Sequence, residues 1–87
     1  MAEPSLLEFP CDFPLKIIGY QRAGYAQSVL EVVKRHAPDY DGAEMEMRLS
    51  SKGKYLSLTC TINATSRLQL DALYQELCDH PMVVKVL

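Results

Sequence analysis

Two turn-forming segments of the sequence carry side chains that could bind a small anion. The first, at residues 19–24, contains the guanidinium of Arg22, and the second, at residues 50–54, contains two hydroxyls and two ammonium groups. Such donors form short, charge-assisted hydrogen bonds with phosphate and carboxylate oxygens. We therefore predict a ligand-binding cluster for an anion, made of Arg22, Ser50, Ser51, Lys52 and Lys54.

Four segments that alternate apolar and polar residues are predicted to be β-strands, because successive side chains of a strand point to opposite faces. The alternation is clearest in the third segment. The strands are predicted at residues 15–20, 44–49, 55–63 and 82–87. The residues expected to point inward include Leu58, Cys60 and Ile62 in the third strand and Met45, Met47 and Leu49 in the second.

Two segments between these strands are predicted to be helices. Over residues 26–36 the apolar side chains recur at intervals of three and four, and Pro38 prevents much continuation. Ser66 and Gln69 have the spacing of a capping box, which starts a second helix. This helix is expected to end before Pro81.

The order strand, helix, strand, strand, helix, strand predicts an α+β domain with the ferredoxin-like βαββαβ arrangement. Four antiparallel strands in the order 4-1-3-2 would carry both helices on one face. In this topology the two segments of the anion cluster meet at one end of the sheet. The domain is predicted at residues 14–87, preceded by an extended N-terminal arm at residues 1–13 that contains two prolines.

The sheet face opposite the helices is left open by this topology and is predicted to contact a protein partner. The edge of the closing strand, whose only charge is Lys85, is a second candidate contact because unpaired edges invite pairing. The partner's identity is left open, and a homodimer is one expectation. The predicted interface residues are Ile18, Tyr20, Tyr55, Thr59, Thr61 and Lys85.

Composition excludes several classes of function. A net charge of −2 and a pI near 5.6 argue against nucleic-acid binding. No apolar run approaches the roughly 18 residues of a membrane span, so no membrane partner is predicted. Three cysteines without CxxC spacing favour reduced thiols and a cytoplasmic location.

Enzymatic chemistry is not predicted. Acylphosphatases share the predicted fold and place an Asn in the second strand, but residues 44–50 contain none. Cys78 and His80 are close in sequence, yet two ligands do not make a metal site. We therefore predict no catalytic residue, no metal and no cofactor.

Several segments together resemble the bacterial YbeD-like family, in the same order along nearly the whole chain. They are Leu6–Pro10, Lys16–Gly19, Val32–Pro38, Ser50–Tyr55 and Leu73–Leu77. The resemblance implies a small cytosolic protein with a ferredoxin-like fold similar to ACT domains, without an assigned reaction and sometimes associated with lipoate metabolism. The function predicted is a non-enzymatic regulatory or adaptor protein. The alternative is an ACT-like sensor that binds a small anion at the Arg22 and Ser50–Lys54 end.

Overall fold

The computed structural model describes residues 8–87, which form one four-stranded antiparallel sheet and two helices. The strand order is β2-β3-β1-β4, which is the predicted order 4-1-3-2 counted from the opposite edge. The ferredoxin-like arrangement is thus confirmed. The elements are β1 (Cys11–Tyr20), α1 (Tyr25–His36), β2 (Glu46–Leu49), β3 (Tyr55–Ala64), α2 (Arg67–Asp79) and β4 (Val83–Val86).

Strand β1 begins at Cys11, four residues before the predicted start. Residues 11–13, which fall in the predicted arm, pair with β3, and residues 1–7 of that arm lie outside the described part. Pro14 is tolerated inside the strand for a geometric reason. Lys16 exchanges two backbone hydrogen bonds with Leu87, at 3.2 and 2.8 Å, so its backbone groups point toward the β4 side of β1. Pro14 lies two residues earlier, so its nitrogen points to the same side, past the end of the β1–β4 pairing. No hydrogen bond with β3 is lost there.

The core lies between the sheet and the helices. Leu58, Cys60 and Ile62 of β3 are at most 1% exposed, as their alternation predicted. Three residues of α2, Leu70, Leu73 and Leu77, and several of α1 pack against them. The centre of the sheet is therefore completely covered on its helix side.

Tyr25, the first residue of α1, is fully buried over β1. Its hydroxyl donates to the carbonyl of Ile17 at 3.1 Å. A Cβ at Gly19 would lie 2.4 Å from the Tyr25 ring and 2.5 Å from the carbonyl oxygen of Met82. Glycine at position 19 therefore makes room for the ring.

Strand β2 departs from the sequence prediction. Met47 lies opposite Leu58 in the β2–β3 ladder, which places it on the helix side of the sheet as expected. However, Met47 is 60% exposed and Leu49 is 51% exposed, so the prediction that they are buried is wrong. The physical reason is that β2 is an edge strand outside the area that the helices cover. Met45, just before the strand, is partly buried against the core.

Candidate functional site

The open face of the sheet contains all six predicted interface residues. Ile18 lies opposite Ser57 of β3 and Lys85 of β4, and Tyr20 lies opposite Tyr55. Because the buried residues of β1 and β3 occupy the alternate positions, these side chains point away from the helices. Thr59 and Thr61 follow the same alternation on β3. Their shared placement is thus observed, and their role in binding stays a prediction.

Three loops meet at one end of this face, as the topology predicted. The Gln21 N–H donates to the Lys54 carbonyl at 3.0 Å, which joins the loop after β1 to the β2–β3 hairpin. The Tyr20 N–H donates to the Met82 carbonyl at 3.1 Å, which brings the turn before β4 to the same end. Arg22 and Lys54 therefore lie in loops that backbone hydrogen bonds hold together at this end of the sheet.

An aromatic pair connects this end to the open face. The rings of Tyr20 and Tyr55 are 5.8 Å apart between centroids. The Arg22 guanidinium lies 5.3 Å from the centre of the Tyr20 ring, and the Lys54 ammonium lies 5.4 Å from that of Tyr55. Both distances permit cation–π attraction. The predicted anion cluster and the predicted interface are thus one continuous surface.

The hairpin residues differ in whether their side chains are engaged in hydrogen bonds within the protein. The Ser50 hydroxyl oxygen accepts a hydrogen bond from the Tyr55 N–H at 3.1 Å, and the Ser50 carbonyl accepts one from the Gly53 N–H at 2.9 Å. Ser50 therefore holds the turn, which needs the positive φ of Gly53. Ser51 and Lys52 are exposed. Within residues 8–87, no hydrogen bond or ion pair ties the Lys52 side chain to the rest of the cluster.

Two shallow concavities lie on the open face, with volumes of about 490 and 370 Å³. Both are lined by Lys16 of β1, Arg48 of β2 and Ser57 of β3. The smaller one also includes Ser50 and Ser51, so it joins predicted ligand residues to the open face. The sequence analysis did not single out Lys16 and Arg48. The predicted strand order and alternation would have been enough to find them, since together they place both cations beside the polar face of β3.

The open face is more basic than the chain as a whole. Every charged residue of the four strands lies on it, by the alternation described above. The cations on this face or at its loop end are Lys16, Arg22, Arg48, Lys52, Lys54 and Lys85. The acidic residues counted in the same way are Asp12 and Glu46 in the strands and Asp79 before the turn to β4. A chain of net charge −2 therefore presents a cationic surface here.

Ionisable groups on the helix side are arranged for packing. Glu76 of α2 accepts hydrogen bonds from Arg35 and, at 2.7 Å, from His36 of α1, and these contacts lower the pKa of its carboxyl. Burial raises the pKa of the Cys60 thiol, which makes it a poor nucleophile. The second histidine, His80, accepts a hydrogen bond from the Met82 N–H at 3.1 Å at its Nδ1. Glu76 and the two histidines thus hold elements together or end them, and Cys60 is part of the core.

Among residues 8–87 no group of three or more His, Cys, Asp or Glu side chains is placed to hold a metal ion. Neither helix in this part of the chain has the length and apolar character to cross a bilayer.

Solved structures share the fold at low sequence identity. A solution structure of an H. pylori protein matches with a TM-score of 0.76 at 15% identity, over 98% of this chain and 88% of that one. The ACT domain from GTP pyrophosphokinase of Chlorobium tepidum matches with a TM-score of 0.65 at 17% identity, over 87% of this chain and 84% of the domain. These likenesses establish the ferredoxin-like, ACT-like fold.

Sequence relatives come from bacteria and span nearly the same length. A UPF0250 protein of Nitrosomonas europaea is 61% identical over 87 residues, covering all of both chains. A UPF0250 protein of Bordetella pertussis is 53% identical over 85 residues, covering 98% of this chain and 93% of the relative. The family model described as protein of unknown function DUF493 matches residues 4–87. The chain therefore belongs to the DUF493 family of small bacterial proteins, in agreement with its YbeD-like resemblance.

Proposed function

We propose that this protein is a non-enzymatic adaptor or regulatory protein that binds a protein partner through the open face of its sheet. The observation that carries the proposal is the combination, on one uncovered face and its loop end, of an aromatic pair, six cations and two shallow concavities. Arg and Tyr are the residue types that interfaces favour as anchors. All three cysteines are free thiols, which supports a cytoplasmic setting for this role.

The charge of the face defines the chemistry of the partner. Lys16 and Arg48 lie on the strands to either side of β3, Lys16 opposite Thr59 and Arg48 opposite Ser57. A carboxylate between them would meet two cations and a hydroxyl. Tyr20 and Tyr55 offer apolar area at the loop end. We expect a partner surface with acidic side chains beside an apolar or aromatic one. Because complementary charges mainly raise association rates, binding should weaken as salt is added.

The test is affinity capture from bacterial cytosol with matched charge reversals. Lys16→Glu alters the open face, whereas Lys34→Glu makes the same change on the exposed side of α1. A partner retained by wild type and Lys34→Glu, lost by Lys16→Glu and released by salt is the expected result. Equal retention by both variants contradicts binding through the open face, and equal loss shows that net charge alone governs capture.

The alternative function is a sensor for a small anion at the Arg22 and Ser50–Lys54 end. The observation in its favour is the concavity of about 370 Å³, lined by Ser50 and Ser51, close to the two cations on the aromatic pair. The likeness to an ACT domain concerns fold alone, so this candidate is argued from these residues.

NMR titration distinguishes the sensor from the adaptor. Phosphate, simple carboxylates and amino acids are the probes, together with lipoyl compounds because the YbeD-like resemblance implies a link to lipoate metabolism. A sensor should show saturable shifts at the amides of Arg22, Ser51 and Lys54, and Arg22→Gln should weaken them. Shifts confined to Thr59 and Thr61, or no saturable shifts, contradict the sensor.

A further inference from the structure

Strand β2 presents an unpaired backbone edge with an exposed apolar side. The Ser50 N–H donates to the Tyr55 carbonyl at 2.9 Å, so the backbone groups of Ser50 and, two residues before it, Arg48 point toward β3. The N–H and C=O groups of Met47 and Leu49 therefore point outward. Their side chains lie on the helix side and are more than half exposed. Such an edge is a template for pairing with another strand.

The sequence of β2 is complementary to itself when two copies run antiparallel. Glu46 and Arg48 flank Met47 and both lie on the open face of the sheet. With a two-fold axis at Met47, Glu46 of each copy stands opposite Arg48 of the other. Opposite charges placed directly across an antiparallel pair stabilise it. The charge pattern thus indicates a second copy of this chain as the occupant of the edge.

We propose that two copies of this protein associate through antiparallel β2–β2 pairing centred on Met47. Each Met47 N–H would donate to the Met47 carbonyl of the other copy, and each Leu49 N–H to the opposite Met45 carbonyl. The Met45 N–H takes no part in this pairing, because it already donates to the Gly42 carbonyl at 3.2 Å. The two sheets become one of eight strands, and the exposed Met47 and Leu49 side chains of both copies cover each other.

The other edge of the sheet is a poorer template for self-pairing. The β1–β4 register shifts between Ile18 and Gly19, and an irregular edge is bent away from regular pairing. The only charge of β4 is Lys85, so no opposite charge of the same strand stands ready to pair with it. We therefore assign the contact between two copies to β2 and not to the closing strand β4. This proposal does not rest on the adaptor role, although Arg48 takes part in both.

Charge-reversed variants test the register by complementation. Glu46→Arg and Arg48→Glu each place like charges opposite one another twice, so each variant alone should dimerise about tenfold more weakly or worse. Mixed together, the two variants restore both attractive pairs and should form a heterodimer. The double variant Glu46→Arg/Arg48→Glu should dimerise as wild type does. Sedimentation velocity across a concentration range and native mass spectrometry of the mixture measure these states.

Each remaining outcome overturns the proposal. A wild type that stays monomeric up to millimolar concentration removes the self-contact. A wild-type dimer whose charge-reversed variants form no preferential heterodimer shows a different surface or register. Lys34→Glu, on α1, is the matched control and should dimerise normally, and circular dichroism confirms that all variants are folded. Because Lys16→Glu leaves β2 intact, its failure to capture a partner bears on the adaptor role and not on this dimer.

Discussion

Strands β2 and β3 are hydrogen-bonded neighbours with the same alternation of apolar and polar residues, yet only one is buried. Leu58 of β3 is fully buried, whereas Met47, directly opposite it in β2, is 60% exposed. The difference is position in the sheet, since β3 lies under the helices and β2 lies beyond them. Alternation thus determines the face on which a side chain lies, and the area covered by the helices determines whether it is buried.

The strongest test of this contrast introduces an aspartate at each of two positions that face each other in the β2–β3 ladder. Leu58→Asp places a carboxylate in a site without water or a partner, which should cost more than about 4 kcal/mol and abolish cooperative folding. Met47→Asp leaves the carboxylate in solvent and should change stability by about 0.5 kcal/mol or less in the dilute monomer. Thermal melts followed by circular dichroism measure both. Equal damage from the two changes would show that β2 is covered after all.

The next largest effect is expected at Gly19, where the packing leaves no room for a side chain. Gly19→Ala introduces a Cβ 2.4 Å from the Tyr25 ring and 2.5 Å from the Met82 carbonyl, so ring and backbone must both shift. The expected cost is about 2–3 kcal/mol, typical of overpacking. Denaturant unfolding measures it. In a double-mutant cycle, Tyr25→Leu should absorb part of this cost, and strict additivity would mean that the ring is not the obstacle.

Removal of the Tyr25 hydroxyl alone is expected to have a moderate effect. Tyr25→Phe leaves the ring in place but removes its hydrogen bond to Ile17, which should cost about 1 kcal/mol at neutral pH. Burial raises the pKa of Tyr25 from 10.0 to about 12. Since the folded state holds this proton more tightly, the associated stability is complete below pH 10.0 and is lost between pH 10.0 and about 12.

The pH dependence of the stability difference between Tyr25→Phe and wild type is the control for this prediction. The deficit of Tyr25→Phe relative to wild type should shrink as pH rises through that interval, as measured by urea unfolding at fixed temperature. A deficit that is constant or grows with pH would contradict a neutral, buried hydroxyl.

The sequence predicted the order of elements, and the helix starts to within one residue, because these depend on local periodicity and caps. The strand order then followed from the element order. At the start of α2, for example, the Ser66 hydroxyl accepts from the Gln69 N–H at 3.0 Å, as the capping box required. The Gln69 side chain accepts from the Thr65 N–H instead of that of Ser66, which is a one-residue variation of the same motif. Such signals are contained within a few residues.

The remaining features depend on contacts between distant segments. Tyr40 follows a predicted turn, yet its ring is buried beside Cys60, and its hydroxyl makes no hydrogen bond of ordinary geometry among residues 8–87. Local polarity gave no sign of this. Likewise, the concavities beside Lys16 and Arg48 arise only when three strands are placed side by side. The candidate site was therefore predicted as residues on a face, without the cations that line it.

The smallest effect concerns the contact that holds the two helices together over the covered half of the sheet. Glu76 of α2 binds Arg35 and His36 of α1, and these hydrogen bonds lower the pKa of its carboxyl. A lowered folded-state pKa stabilises the protein above the ordinary carboxyl value of 4.5, and this contribution is lost as pH falls through the folded value. Because Arg35 and Glu76 are partly exposed, solvent screens the contact, and Glu76→Gln should lower Tm by only a few degrees at pH 7.

The matched control is Asp71→Asn, which removes an exposed pair with Arg67 within α2 and should leave Tm unchanged. The Tm difference between Glu76→Gln and wild type should shrink as the pH falls below 4.5 and through the lowered folded-state pKa, and it should vanish where the carboxyl is protonated. A difference that persists there, or an equal loss in Asp71→Asn, would refute a specific contact between the helices. Since this contact lies on the covered side and β2 lies outside it, Glu76→Gln should also leave β2-mediated dimerisation unaffected. A parallel loss of dimerisation would mean that the helices and the β2 edge are coupled, and the contrast between covered and uncovered strands would then be one of degree.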